Sequence, residues 1–500
     1  MAMQGSGIDR RTLLGAGAAA VVAMSPARGA ETKAQLGVAA AAANAESEPK
    51  KKLSELIADF VVGFDLKNAP PLAIERTRLA FTDTLGVMLA GSREHVAQIA
   101  CEMVKQEGSA PAAGVVGQSF RASPQLAALA NGVAAHAMDY DFSYIMGQPM
   151  APIIPALLPL AEQTRATPSE VMAAFIVGFE VGSRMARANV TQSLAGGWHA
   201  VGTIGTTAAA AACARLLKLP AAQIPDVIGI SASLAGGFSS NFGTMTKPLH
   251  AGQAARNGLM AAQLASRGFT ANPSALEGNN GYYRAFARGL DVTFAPFQDL
   301  GGSFDIVDRG FKPKRYPCGG LGHTAIDATL EMRDELLPRL SDIAGIKASI
   351  TRYAAARIGP TYPVSIENAK FSMPYLAATT LLHGAPMLAA FTEPAIADTR
   401  VRAAARLVSV AIDPEFADIF EESPSRVIVS FTDGSKLERL RYYASGTLQF
   451  PLTAAQIEAK FMDCAVQAVD KERAGRIFAA LQTLGEAPSF DELWPLLRGA

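Results

Sequence analysis

The chain has 500 residues, 49% hydrophobic and 18% charged, with 45 Lys plus Arg against 45 Asp plus Glu. Such a composition supports large cores in roughly two to four domains of about 100–200 residues, and its balanced charge offers nothing that would hold a phosphate backbone or an anionic membrane surface, so nucleic-acid binding is set aside. Cys101, Cys213, Cys318 and Cys464 lie far apart without a C-x-x-C pair, which argues against a zinc knuckle, a redox pair or an iron–sulfur ligand run. No apolar run reaches the roughly 20 residues of a membrane span.

In chain order, Arg10 and Arg11 precede an uncharged stretch from Thr12 to Met24, followed by Pro26, Ala27, Gly29 and Ala30. Residues 1–30 therefore read as a twin-arginine export signal, predicting a periplasmic or exported protein; the alternative is an Ala-rich irregular start on a cytoplasmic one. Residues 31–50 read as a linker. Leu53, Leu56, Ile57, Phe60, Val61 and Phe64 then form one apolar stripe at helical period. Ser123-Pro124 supplies a helix start, Thr167 to Glu170 a capping box, and the Ala-, Gly- and Ser-rich stretches 203–217, 220–236 and 249–266 predict helices that approach closely. A large all-helical domain is expected over 51–305. Beyond it, alternating β-branched runs at Ile346–Ile350, Ala405–Val410 and Arg426–Phe431, the last followed by a turn at Asp433-Gly434 and Leu437–Arg441, predict a smaller α+β lid domain over 306–449 with an antiparallel hairpin. Residues 450–500 read as helices returning to the first domain. The fold class is thus mainly α with a smaller α+β lid.

The chemistry is narrowed first by absences: no Walker loop, no nucleophile elbow around Ser231 and no H-x-x-x-H among six histidines. Three clusters remain. In Gly243–Gly258, Pro248 near the first helical position places Lys247 and His250 at a helix N-terminus, where unpaired N–H groups and the dipole would favour a substrate carboxylate; the alternative is a lysine snorkelling beside a capping histidine. Lys314, Cys318 and His323 lie in a basic, Gly-rich segment suited to a second carboxylate, or to a solvated linker. Asp139 and Ser143 follow a helix C-terminus, an end that disfavours acids, so Asp139 needs a partner that the Lys247 loop could bring. His199 opens an Ala-rich helix as a cap or a core-edge residue.

Together, HAMDYDFS (136–143), GGWHAVGTIGTTAAAAA (196–212), GTMTKPLHAGQAARNG (243–258), ALEGNNGYYRAF (275–286), KRYPCGGLGH (314–323), NAKFSMPY (368–375) and PLTAAQIEAKF (451–461) resemble the MmgE/PrpD family over residues ~51–495. This family includes 2-methylcitrate dehydratase, cis-aconitate decarboxylase and iminodisuccinate epimerase. The resemblance implies a helical domain built from both chain ends, a smaller α+β lid, a homodimer, and a cleft acting on di- and tricarboxylic acids with no metal or organic cofactor. By motif, Asp139, Lys247, His250 and His323 are expected to be catalytic, and Ser143, Gln148, His199, Lys314 and Cys318 to line the substrate. The lysines would clamp carboxylates, His323 or His250 would move protons, and Asp139 would tune Lys247.

Two departures bear on the reaction. Members often have His-Pro where this chain has Gln148-Pro149, and glutamine cannot shuttle a proton. Decarboxylase-type members carry histidine where Cys318 stands, and Ser143 to Met146 is more apolar than usual, which suits a bulkier or less charged acid. The expected activity is a carbon–oxygen lyase that dehydrates a hydroxy di- or tricarboxylate such as a 2-methylcitrate-like compound. An epimerase of a dicarboxylate and a non-catalytic, exported carboxylate-binding protein are the alternatives.

Overall fold

A computed structural model describes residues 51–144, 147–189, 196–287, 289–417 and 423–499. The expected signal at 1–30, the linker at 31–50 and Met146 lie outside the described residues. The apolar stripe that begins at Leu53 forms α1 (Leu53–Gly63), followed by α2 (Pro71–Gly91), α3 (His95–Glu107), α4 (Pro124–His136), α5 (Met150–Thr164), α6 (Pro168–Ala188), α7 (Ala200–Leu216), α8 (Ile224–Ser233) and α9 (Thr246–Ala265). The Thr167–Glu170 capping box opens α6, with Glu170 Oε2 accepting from the Thr167 amide at 2.8 Å. The stretch 220–236 yields only ten helical residues in α8, because Pro225 fixes the first turn and Gly236-Gly237 follows its end.

Helices α4, α6, α7 and α9 pack on one another around the main core. Their small residues allow it: the Gly132 face of α4 lies against Gly252 of α9, and a Cβ at Gly132 would stand 2.7 Å from Gly252 Cα and 2.9 Å from the Ala251 carbonyl oxygen. Backbone cannot yield as a side-chain tip can. Gly132→Ala should therefore lower stability by about 1–3 kcal/mol, the usual cost of overpacking. Because it drives α9 away from α4, a thermal melt and a turnover assay should both register it.

After His323 the chain builds α10 (His323–Leu336), β1 (Ile343–Ile350), α11 (Met373–His383), β2 (Val408–Ile412), β3 (Ser425–Phe431) and β4 (Lys436–Arg441). The sheet order is β2-β1-β3-β4; β1 pairs parallel with β2 and antiparallel with β3, and β3 and β4 form the expected hairpin. Along β3, Ser425, Val427, Val429 and Phe431 alternate inward onto α10. The run expected at Ala405–Val410 starts as a strand only at Val408, since Ala405 closes a short helix (Thr399–Ala405). Finally α12 (Ala454–Ala465) and α13 (Lys471–Gln482) pack against α2, Phe461 lying over Gly86. Among the described residues no helix is long and apolar enough to cross a membrane.

Candidate active site

Helix α4 ends at His136, and three residues later Asp139 adopts φ = 54°, a left-handed conformation that Asp tolerates better than most residues. The bend turns the following segment toward the chain entering the α+β region, where Ser143 and Lys312 exchange both backbone hydrogen bonds at 2.9 Å. Lys314, two residues on, reaches back: its Nζ donates to the Asp139 carbonyl at 2.6 Å and lies 2.8 Å from Asp139 Oδ2. From the other side, Lys247 Nζ meets Asp139 Oδ1 at 2.6 Å. Lys247 is the second residue of α9 and Pro248 the third, later than the first position expected, yet still among first-turn positions whose N–H needs no helical partner.

Two ammonium groups therefore share one carboxylate in a largely enclosed place, with side-chain exposures of 15% for Lys247, 14% for Asp139 and 5% for Lys314. Burial alone would raise the Asp139 carboxyl, but Lys247 and then Lys314 outweigh it and hold it well below the usual carboxylate range. A single carboxylate leaves the pair with positive charge to spare, which suits an organic acid.

Four histidines surround this pair. His199 is the N-cap of α7 and His250 lies in the first turn of α9; their Nδ1 atoms are 3.0 Å apart. His136 stacks on His199 with centroids 5.5 Å apart, and its Nδ1 lies 2.9 Å from Asp141 Oδ2. His323 opens α10, fully enclosed, hydrogen-bonded to the Cys318 backbone and edge-on to Tyr316. Burial, then the nearby Lys314, push its pKa down to about 3, while burial and the charge on His136 lower both His199 and His250. All three are thus neutral at pH 7 and able to accept protons.

The sign of the resulting stability effect is fixed. An unfolded His323 binds a proton below about pH 6.5, whereas the folded residue stays neutral down to about 3, so its contribution to stability falls with acidification across that window by about 1.4 kcal/mol per pH unit. Thermal unfolding between pH 5 and 8 should show a falling midpoint toward pH 5, and His323→Gln should flatten that slope.

The remaining expected residues lie at different distances from this centre. Cys318 is wholly enclosed between Tyr316, Ile326 and Tyr375, burial raising its thiol far above the ordinary value, so it carries no surface to a ligand here. Ser143 is held through its backbone. Half-buried Gln148 follows Gly147, whose backbone packs against Ala200 and Val201 beside His199. Sequence reasoning did not single out His136, Asp141 or Lys370. The first two stood within the HAMDYDFS string, where only a fold could reveal which acid meets which base. Lys370, in NAKFSMPY, accepts a hydrogen bond from Gly319 through its carbonyl and lies within electrostatic reach of Asp139 and Lys247; burial lowers its ammonium, and Glu94 and Asp139 oppose that shift. Among the described residues no group of three His, Cys, Asp or Glu side chains could hold a metal ion.

The MmgE/PrpD N-terminal domain matches residues 55–295 and the MmgE/PrpD C-terminal domain residues 316–485, together most of the chain. The chain belongs to the MmgE/PrpD family. Its similar relatives include cis-aconitate decarboxylase of Homo sapiens, 28% identical over 459 residues covering 90% of this chain and 95% of that enzyme. The cis-aconitate decarboxylase of Mus musculus is 25% identical over 90% of this chain and 94% of its own length. That of Aspergillus terreus strain NIH 2624 is 26% identical over 91% and 97%. This MmgE/PrpD chain is therefore an enzyme, and of the residues that meet at Asp139, Asp139 and Lys247 lie in the first matched domain and Lys314 in the short join between the two.

Proposed function

We propose that this MmgE/PrpD chain is a lyase that removes water from a hydroxy di- or tricarboxylic acid after abstraction of a proton next to a carboxylate. The observation that carries this reading is the meeting of Lys247 Nζ and Lys314 Nζ on Asp139, from segments far apart in sequence. Loss of an α-proton builds negative charge on the adjacent carboxylate, and preorganised ammonium groups stabilise that charge most where water is excluded. In this reading the lysines hold the substrate carboxylate, Asp139 spaces them, and neutral His323 or His250 takes the proton and returns one to the departing hydroxyl. Export through the Arg10-Arg11 signal would direct the activity to an acid outside the cytoplasm.

A second reading, decarboxylation, draws on the relatives named cis-aconitate decarboxylase. Against it stand Gln148, whose amide cannot carry a proton, and the enclosed Cys318. Nuclear magnetic resonance of the purified chain with 2-methylcitrate, citrate and cis-aconitate in deuterated water separates these outcomes. An alkene product from a hydroxy acid supports dehydration. Carbon dioxide release from cis-aconitate would replace it with decarboxylation, and solvent exchange without an alkene would leave an epimerase.

A further inference from the structure

We propose that His199 and His250 work as one two-imidazole proton relay, taking up a proton at one outer ring nitrogen and releasing another at the opposite end. Their Nδ1 atoms face each other at 3.0 Å, both rings enclosed, with the edge of Phe242 against His199 at 4.9 Å between centroids. A hydrogen bond between two imidazole nitrogens has room for one hydrogen, so one ring carries its proton on Nδ1 and the other on Nε2. The pair then always presents one bare Nε2 and one Nε2–H. A proton bonding to the bare Nε2 makes that ring cationic. The bridging N–H then breaks at its Nδ1 and re-forms on the partner's Nδ1, and the partner's Nε2–H leaves. One proton has crossed, both rings are neutral again, and the two tautomers have exchanged.

The relay works only while neither ring holds two protons at rest, since two Nδ1–H groups would repel. The surroundings enforce this. Around the pair, His136 stacks on His199, and Lys247 and Asp139 lie within electrostatic reach; burial first, then positive charge on His136, then Lys247 lower both imidazoles, while Asp139 pulls His199 weakly the other way. Asp141 Oδ2 lies 2.9 Å from His136 Nδ1, both side chains fully enclosed, which fixes the His136 ring against His199. His250 lies three residues after Lys247, on the same face of α9, so one end of the relay opens beside the ammonium pair.

Use of the relay in turnover rests on the lyase reading; the paired tautomers do not. With six histidines in the chain, nitrogen-15-labelled imidazoles can be followed individually between pH 5.5 and 8. The expected result is one Nδ1–H and one Nε2–H ring, both neutral at pH 7, linked by a shared proton that His250→Gln abolishes. Two like tautomers, or a charged ring at pH 7, would overturn the proposal whatever the enzyme's substrate. In turnover, His199→Gln, His250→Gln and the double variant should each lose about 10²-fold or more and lose it equally, as members of one unit do. Losses that multiply would overturn the relay, whereas a wild-type chain inert to every acid tested would count against the lyase reading alone.

Discussion

Asp139→Asn should leave an enzyme that still folds but melts lower and turns over at least about 10²-fold more slowly. The reason is that a single carboxylate neutralises two enclosed ammonium groups, one of them 5% exposed. Orphaning a buried charge costs about 3–5 kcal/mol, far more than the loss of an exposed ion pair. Two further measurements identify the cause. First, a polycarboxylic acid should stabilise the variant more than the wild type, since its carboxylate takes the vacated place; at a hundredfold excess over the dissociation constant a ligand adds about 2.7 kcal/mol. Second, Asp139 titrates below its unfolded value of 3.8, so its contribution is fully present above that pH and is lost as pH falls below it. The gap between wild type and Asp139→Asn should be constant from pH 5 to 8 and should close below about pH 4. A gap that changes around neutrality would assign the effect to another group.

Lys247→Ala should produce the opposite balance, a stable protein with little activity. Asp139 keeps Lys314, so no buried charge is orphaned, and the stability loss should stay well short of the about 3–5 kcal/mol expected above. Activity should fall about 10²–10³-fold, the usual effect of removing one preorganised donor from a developing negative charge. Lys247→Arg should not restore it, because a planar guanidinium cannot occupy the point-charge position 2.6 Å from Asp139 Oδ1 without displacing α9. Lys314→Ala, in contrast, should lose both activity and stability, since this lysine also donates to the Asp139 carbonyl and ties the 139–143 segment to the chain leaving α9's domain. Comparison of the two lysine variants by melting and kcat/KM therefore separates the binding role from the structural one.

The helices were legible wherever local rules dominate. The stripe from Leu53, the Ser123-Pro124 start and the Thr167–Glu170 box all became helix ends at or near the expected residues. Helix α5 was not legible, since Pro155 and Pro159 lie inside it. It exists because its residues from Met150 to Ala161 are all enclosed in the main core, so packing outweighs the loss of two backbone hydrogen bonds. The parallel pairing of β1 with β2 was equally hidden, because the two strands are separated by α11 and their partner is chosen across more than fifty residues.

By itself the sequence determined the mainly helical architecture, the hairpin of the α+β region, and the residue types that gather in the candidate site, because periodicity, caps and turns act over a few residues and the motif order is carried in the chain. Only the tertiary structure decided that Lys247 and Lys314 spend their charge on the same carboxylate, that His199 bonds to His250 while His136 bonds to Asp141, and that Cys318 is sealed in a core. Each of these depends on side-chain approaches of about 3 Å between segments set by helix packing, and electrostatic and hydrogen-bond energies change steeply over that distance while leaving no trace in local sequence.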